Sequence, residues 1–380
     1  MENKEMTFFE ELQWRGLVQD ISSPDLIDKL NNGGLTFYIG TDPTADSLHV
    51  GHMLVFLFAK RLESVGNKPI FLIGGATASI GDPKPGAERQ LLSRETIDHN
   101  ASCLFNQVSK LFPAQMVNNY DWTHNIDILT FLRTYGKFFN VNYMINKETV
   151  KARLDSGISY AEFSYQILQA LDFEHLYREK GCMLQIGGQD QWGNITSGLE
   201  LIRKIHGADA EAYGVTVPLF TKSDGTKFGK SEGGAVWLDP EKTSPYAFYQ
   251  FWINTPDNDV MRELKQFTFL SKEEIEELEI VIDETTQKKL KAAKSHNFES
   301  ATLYRDKEHN LREQLEIAKR KWDERLSNER ETVDEDKIAE IREVMKQVES
   351  LDYVNEENSE SVFLRYSRVL PTVKILPSIA

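Results

Sequence analysis

Three groups of residues have the types and spacing for chemistry. The first is His49-Val50-Gly51-His52, at the end of the segment Asp42-Pro43-Thr44-Ala45-Asp46-Ser47-Leu48 and just ahead of the helical run Met53-Leu54-Val55-Phe56-Leu57-Phe58. Two imidazoles at a helix start suit a nucleotide phosphate, because free N–H groups and the helix dipole favour negative charge there, and Gly51 lets the nucleotide approach the backbone. The second is Thr221-Lys222-Ser223-Asp224-Gly225-Thr226-Lys227-Phe228-Gly229-Lys230-Ser231. Its lysines and the Ser231 hydroxyl are donors for the charge that grows on a departing pyrophosphate, and a plain solvated loop is the alternative. The third is the set Tyr165, Gln169 and Asp172, at i, i+4 and i+7 of Tyr160-Ala161-Glu162-Phe163-Ser164-Tyr165-Gln166-Ile167-Leu168-Gln169-Ala170-Leu171-Asp172-Phe173, so that all three share one helix face. Buried polar groups are costly unless hydrogen-bonded, so this stripe needs either an internal network or a polar ligand.

The elements that position these groups follow from periodicity. A β-rich run, Leu35-Thr36-Phe37-Tyr38-Ile39-Gly40, precedes the first group, and Pro69-Ile70-Phe71-Leu72-Ile73-Gly74-Gly75 follows its helix. Strand, helix, strand implies a right-handed crossover and a parallel sheet, hence an α/β, Rossmann-like fold. The runs Ala114–Asn119 and Met183–Gly188 read as further buried strands ending in Asn or Gly, and ligands of open α/β sheets sit at such carboxyl ends. Residues 7–31 read as two short helices packing outside the sheet, the second entered through Ser23-Pro24-Asp25. After Gly234 the pattern is helical. Apolar Phe131, Leu132, Tyr135, Phe138, Phe139 and Met144 in a helical insertion at about 124–160 are either a dimer face or ordinary core.

The 380 residues exceed one compact core and predict two or three units. No apolar run is long enough to span a bilayer, and the acidic start Met1-Glu2-Asn3-Lys4-Glu5 is unlike a secretory signal, so a cytoplasmic protein is expected. Cys103 and Cys182 have no close partners in sequence and read as buried thiols. A formal net charge of −15 excludes a protein that grips nucleic acid by a general basic surface; any RNA must meet a local patch.

His-x-Gly-His near the N-terminus with Lys-Phe-Gly-Lys-Ser after the sheet is the signature pair of class I aminoacyl-tRNA synthetases. Tyr38, Asp82 within Gly74-Gly75-Ala76-Thr77-Ala78-Ser79-Ile80-Gly81-Asp82, the stripe Tyr165, Gln169 and Asp172, and Gly187-Gly188-Gln189-Asp190-Gln191-Trp192-Gly193-Asn194 extend the resemblance. Over about residues 11–279 the chain resembles bacterial-type tyrosyl-tRNA synthetases. The resemblance implies that Tyr38 and Asp172 bind a substrate phenol, that Asp82, Tyr165 and Gln169 hold its α-ammonium, and that Gln191 meets its carboxyl or the adenylate. It implies ATP contacts from Asp42, Gly51, Gly188 and Asp190, with Thr44, His49, His52, Lys227, Lys230 and Ser231 stabilising the transition state. ATP with Mg²⁺, L-tyrosine and tRNA(Tyr) are the implied partners, and a homodimer the implied assembly. A site built to bind the ring hydroxyl disfavours tryptophan, and a simple adenylyltransferase leaves Lys-Phe-Gly-Lys-Ser unexplained.

On this basis the expected organisation is N-terminal helices at 1–33, a Rossmann-like catalytic domain at 34–220, the Lys-Phe-Gly-Lys-Ser loop at 221–240 and a partial helical anticodon-side domain at 241–285. A charged helical hairpin at 286–350 and a partly disordered tail at 351–380 complete it. The loop after Asp82, carrying Lys84 and Arg89, is one residue shorter than usual for the family. Residues 290–342 resemble the UVR-type helical segment of ClpC-like chaperone ATPases. Tyr304, Leu311, Leu315, Ala318, Trp322 and Leu326 form one apolar stripe, to be covered by a second helix near Ile338, by the catalytic body or by another protein. Two activities are therefore weighed: a complete tyrosine–tRNA ligase, and a tyrosine-activating enzyme with impaired tRNA charging because its RNA-binding parts are replaced by a protein-docking hairpin.

Overall fold

The computed structural model describes residues 6–83, 90–111, 113–155, 157–221, 230–231 and 234–280, and these fall into two units, one ending at Thr268 and one beginning at Phe269. Lys84, Arg89, Lys227, the charged hairpin and the tail lie outside the described residues.

In the first unit, helix α1 (Phe8–Trp14), strand β1 (Asp20–Ile21) and helix α2 (Asp25–Asn32) lead into β2 (Thr36–Thr41), α3 (Val50–Ser64) and β3 (Lys68–Ile73). Helix α4 (Arg94–Ser109) and strand β4 (Gln115–Asn118) follow, then the short helices α5 (Tyr120–Thr123), α6 (Ile128–Thr130), α7 (Val141–Ile145) and α8 (Glu148–Leu154). The long α9 (Tyr160–Lys180) leads to β5 (Leu184–Gly188), α10 (Trp192–His206), β6 (Tyr213–Val217), a two-residue pair β7 (Lys230–Ser231) and β8 (Gly234–Ala235), and helices α11 (Pro245–Ile253) and α12 (Asp257–Phe267). Of the second unit, residues 272–280 are helical.

The main sheet runs β1-β6-β5-β2-β3-β4, parallel except for β1. From β2 the chain winds outward through β3 and β4, then returns to β2's other side with β5 and β6. The order therefore reverses between β2 and β5, and their carboxyl ends frame the crevice where open α/β sheets hold ligands. This is the Rossmann-like architecture expected from the sequence.

Strand periodicity sorts side chains onto two faces. Phe37, Ile39, Phe71 and Ile73 join α3 and α4 in one core, while Tyr38, Ile70 and Leu72 turn toward Phe173 and Leu176 of α9 and Ile195 and Leu199 of α10. The alternation thus puts Tyr38 on the face that carries Asp172.

Several expectations change. The N-terminal helices contribute Phe9, Leu12, Leu26 and Leu30 to the main core, and the residues between them form the antiparallel edge strand β1, which the sequence reading lacks. β6, Tyr-Gly-Val-Thr-Val, is absent from the strands expected of the sequence because Gly214 weakens its pattern; a Cβ there would strike Ile195 of α10. Residues after Gly234 first form β8 and a bridge, His49 to Trp237, before helix begins at Pro245. Cys182 is buried, but Cys103 is half-exposed on α4, its thiol 3.7 Å from His99 one turn earlier. In the insertion, Met144 is core and Phe131, Tyr135, Phe138 and Phe139 pack on Ala170, Leu171 and Leu201, whereas Ile128, Leu129, Leu132 and Val141 stay exposed.

Candidate active site

A cavity of about 740 Å³ opens at the crevice between β2 and β5. Its wall includes Tyr38, Asp42, Thr44, His49, Gly51, His52, Asp82, Tyr165, Gln169, Asp172, Gly188, Asp190 and Gln191, so these residues, from segments far apart in sequence, share one space. Lys230 and Ser231 are described only as backbone, paired with Ala235 and Gly234, and Ala235 and Trp237 lie on the cavity wall.

At one end, helix α3 begins in an unusual way. His49 is its N-cap: Nδ1 accepts the Gly51 N–H at 3.0 Å, while Nδ1 of His52 accepts the His49 N–H at 3.2 Å. A neutral imidazole that accepts at Nδ1 carries its proton on Nε2, so the caps fix both tautomers. Gly51 is required by this fold-back, since a Cβ there would meet the His49 ring at 2.7 Å. Burial lowers the pKa of both rings, His52 to about 3, where His49 adds to the effect. Two neutral imidazoles, their ring centres 3.9 Å apart and their planes tilted by 32°, thus stand at a helix N-terminus on the cavity wall.

The same helix start meets the flank of the distant lysine loop. Val50 donates its N–H to the Val236 carbonyl at 2.9 Å, and Leu238 donates to Leu48 at 2.8 Å. Lys242 adds an ion pair with Asp46 at 2.7 Å. The start of α3 is therefore stitched by backbone to residues 236–238, which follow the lysine loop in sequence.

At the other end lies a buried polar network. Asp172 accepts from Asn119 Nδ2 and Trp122 Nε1, both at 2.9 Å. Asn119 also donates to Thr77 Oγ1 at 3.1 Å, Thr77 donates to Asp42 at 2.7 Å, and the Tyr165 hydroxyl donates to the other Asp42 oxygen at 3.0 Å. Gln191 and Asn194 donate to Asp82 at 3.0 and 3.2 Å, and Gln169 donates to Gln191 at 3.2 Å. Three polar atoms on the cavity wall are left over: the Tyr38 hydroxyl, on a residue 1% exposed, and the side-chain oxygens of Gln169 and Gln185 have no partner among the described residues. Buried orphans are rare in folded proteins, and one that faces a cavity is able to pair with a polar group placed there.

Burial raises the carboxyls. Asp172 reaches about 7, although Asn119 and Trp122 pull it down, and Asp82 reaches about 6, with Asp42 and Asp190 adding to burial against Gln191 and Asn194. Asn119, Trp122, Thr77 and Asn194 are not among the site residues expected from the sequence. Asn119 leaves a trace there as the polar end of a strand run, and Thr77 and Asn194 stand inside the quoted motifs without a role of their own; Trp122 leaves none, because its use depends on tertiary contacts. Gln185, the register partner of Tyr38 on β5, is a further addition, and its Oε1 is buried without a partner beside the same cavity.

The family profile described as tRNA synthetases class I (W and Y) matches residues 30–318. The chain belongs to this family. The match runs past residue 279 and so takes in the first part of the charged hairpin segment. Among relatives, the "Tyrosine--tRNA ligase 2" of Bacillus cereus is 54% identical over 292 residues, covering 75% of this chain and 70% of the relative. The "Tyrosine--tRNA ligase" of Listeria monocytogenes is 50% identical over 322 residues, covering 83% and 76%. Of solved structures, a C-terminally truncated mitochondrial tyrosyl-tRNA synthetase from Aspergillus nidulans superposes with a TM-score of 0.66 at 31% identity, covering 76% of this chain and 87% of that one. The cavity thus has two unlike ends, paired imidazoles at the start of α3 and a buried polar network beneath α9.

Proposed function

We propose that this chain is a tyrosine–tRNA ligase, which activates L-tyrosine with ATP to tyrosyl-adenylate and transfers the tyrosyl group to tRNA(Tyr). The observation that carries the reading is the unpartnered Tyr38 hydroxyl beside Asp172, in one cavity with His49 and His52. A phenol oxygen placed there accepts from Tyr38 and donates to Asp172. The ammonium meets Asp82, Tyr165 and Gln169, and the carboxylate lies toward Gln191. That carboxylate attacks the α-phosphorus, the bond to the β-phosphate breaks, and pyrophosphate leaves. A terminal ribose hydroxyl of the tRNA then attacks the mixed anhydride, releasing AMP.

No side chain serves as nucleophile. The enzyme supplies position and charge stabilisation through Thr44, His49, His52 and the lysine loop with Lys227, Lys230 and Ser231. Gly51 and Gly188 leave backbone open to ATP, Asp190 takes the ribose, and Asp42 orients Tyr165 and Thr77. Mg²⁺ enters with ATP, held by phosphates and water. The exposed Ile128, Leu129, Leu132 and Val141 suit a homodimer face, which a monomeric sedimentation profile at micromolar concentration would contradict. No described helix is long and apolar enough to cross a membrane, and the cytoplasm is the proposed compartment.

Tyrosine-dependent exchange of labelled pyrophosphate into ATP tests activation, and charging of tRNA(Tyr) by the same preparation tests transfer. Exchange without charging would favour the activation-only enzyme; relatives at 50–54% identity named tyrosine–tRNA ligase support the complete one.

A pH dependence follows from the two raised carboxyls. In the free protein Asp82 and Asp172 are partly protonated near pH 6 and 7. Bound ammonium and a donated phenol O–H both favour the ionised forms, so tyrosine binding expels protons and weakens as pH falls through this range. Calorimetry at pH 6.5 in buffers of differing ionisation enthalpy is expected to show net proton release. A dissociation constant flat between about pH 5.5 and 7.5 would refute it.

A further inference from the structure

The phosphate end of the site is only as well placed as the peptide that leads into it. Leu48, just before His49, is gripped from two sides. On one side its carbonyl accepts from Leu238, as described above. On the other, α4 reaches across: Gln107 Oε1 accepts the Leu48 N–H at 2.8 Å, and Gln107 Nε2 donates to Ser47 Oγ at 3.2 Å. Ser47 in turn donates to the Leu48 carbonyl at 2.8 Å, which closes a ring of three hydrogen bonds. Two turns earlier on the same helix face, buried Asn100 donates to the Pro43 carbonyl at 3.0 Å and holds the other end of the segment.

Gln107 is not on the cavity wall, whereas Ser47, Leu48, His49 and His52 are. Its effect must therefore pass through the peptide it holds. The His49 N–H that His52 accepts belongs to the peptide that begins at the Leu48 carbonyl, so a turn of the Leu48 backbone displaces both rings together. Only certain side chains can hold the peptide in this way. An amide donates to Ser47 and accepts from Leu48 at once, a carboxylate still accepts from Leu48, and an aliphatic group does neither.

We propose that Gln107 is a positioning residue for adenylate formation, fixing the Leu48 peptide so that His49 and His52 meet the ATP phosphates. The inference rests on the tyrosine-activating reading. Misplacement of catalytic groups by about an ångström costs of the order of 10²-fold in rate, so the loss expected from Gln107→Leu is roughly 10- to 100-fold in kcat for tyrosine-dependent pyrophosphate exchange. The dissociation constant for tyrosine, measured by equilibrium dialysis, stays unchanged because Tyr38 and Asp172 lie on the opposite face of the sheet. Gln107→Glu keeps the acceptor for Leu48 and retains kcat within about threefold of wild type.

The proposal is overturned if Gln107→Leu stays within twofold of wild type, if Gln107→Glu is as impaired as Gln107→Leu, or if tyrosine affinity falls in step with kcat. Should Gln107→Leu fail to fold, Ser47→Ala removes the partner of the Gln107 amide and is judged by the same kcat and affinity criteria. Wild-type protein that exchanges no pyrophosphate would sink the activation reading itself, and this inference with it.

Discussion

Asp172→Ala is expected to lower kcat/KM for tyrosine in pyrophosphate exchange by roughly 10- to 100-fold while changing the value for phenylalanine by less than tenfold. On the proposed reading the carboxylate makes the charge-assisted half of the phenol site, and its removal also deprives the Trp122 indole N–H of its acceptor at 2.9 Å, while Asn119 keeps Thr77. A hydrogen bond to a charged group is worth about 1.5–3 kcal/mol and is lost for tyrosine alone, whereas an orphaned protein donor burdens both amino acids alike. Tyr38→Phe removes a neutral hydroxyl only, about 0.5–1.5 kcal/mol, and so costs roughly 3- to 15-fold. Discrimination against phenylalanine comes from leaving these same groups unpaired, a behaviour for which tyrosyl-tRNA synthetases are the standard instance. Both variants are assayed with both amino acids, and thermal melts verify folding. Equal losses for tyrosine and phenylalanine would show that Asp172 supports the pocket without reading the hydroxyl.

The fold and the site differ in how much of each the sequence discloses. β2, β3 and β5 are legible because buried parallel strands are continuous apolar runs ended by Gly or polar turns. β6 and β1 are not, since one contains a glycine packed on Ile195 and the other is two polar-flanked residues whose pairing depends on the distant β6. Among site residues, those repeated at helical spacing, such as Tyr165, Gln169 and Asp172, or concentrated in a motif, such as His49 and His52, announce themselves. Trp122, Thr77, Asn194 and Gln107 do not, because a tryptophan, a threonine or an amide reads as ordinary until the sheet brings its partner within about 3 Å. The imidazole caps are equally invisible: a histidine is not a usual N-cap, and only the fold-back over Gly51 makes it one.

That double role of His49 separates two effects that a single substitution would confound. His49→Ala removes the acceptor for the Gly51 N–H, which costs about 1 kcal/mol of helix α3 stability, and on the proposed reading it also removes an Nε2–H donor to the nucleotide phosphates. His49→Ser restores the cap, because a serine hydroxyl is a good N-cap acceptor, yet it cannot reach where the imidazole reached. Loss of one preorganised transition-state donor costs about 10²- to 10³-fold in kcat, so both variants are expected to fall by that amount in pyrophosphate exchange. Only His49→Ala should also melt a few degrees lower. The tyrosine dissociation constant remains near wild type in both, since the amino-acid end of the cavity is untouched. The donors act as neutral imidazoles: protonating His52, whose pKa lies near 3, would also destroy its acceptance of the His49 N–H. Accordingly no His52 titration should appear in the kcat profile between about pH 5 and 8. A His49→Ser enzyme with wild-type kcat would mean that His49 caps the helix and does nothing for the phosphates.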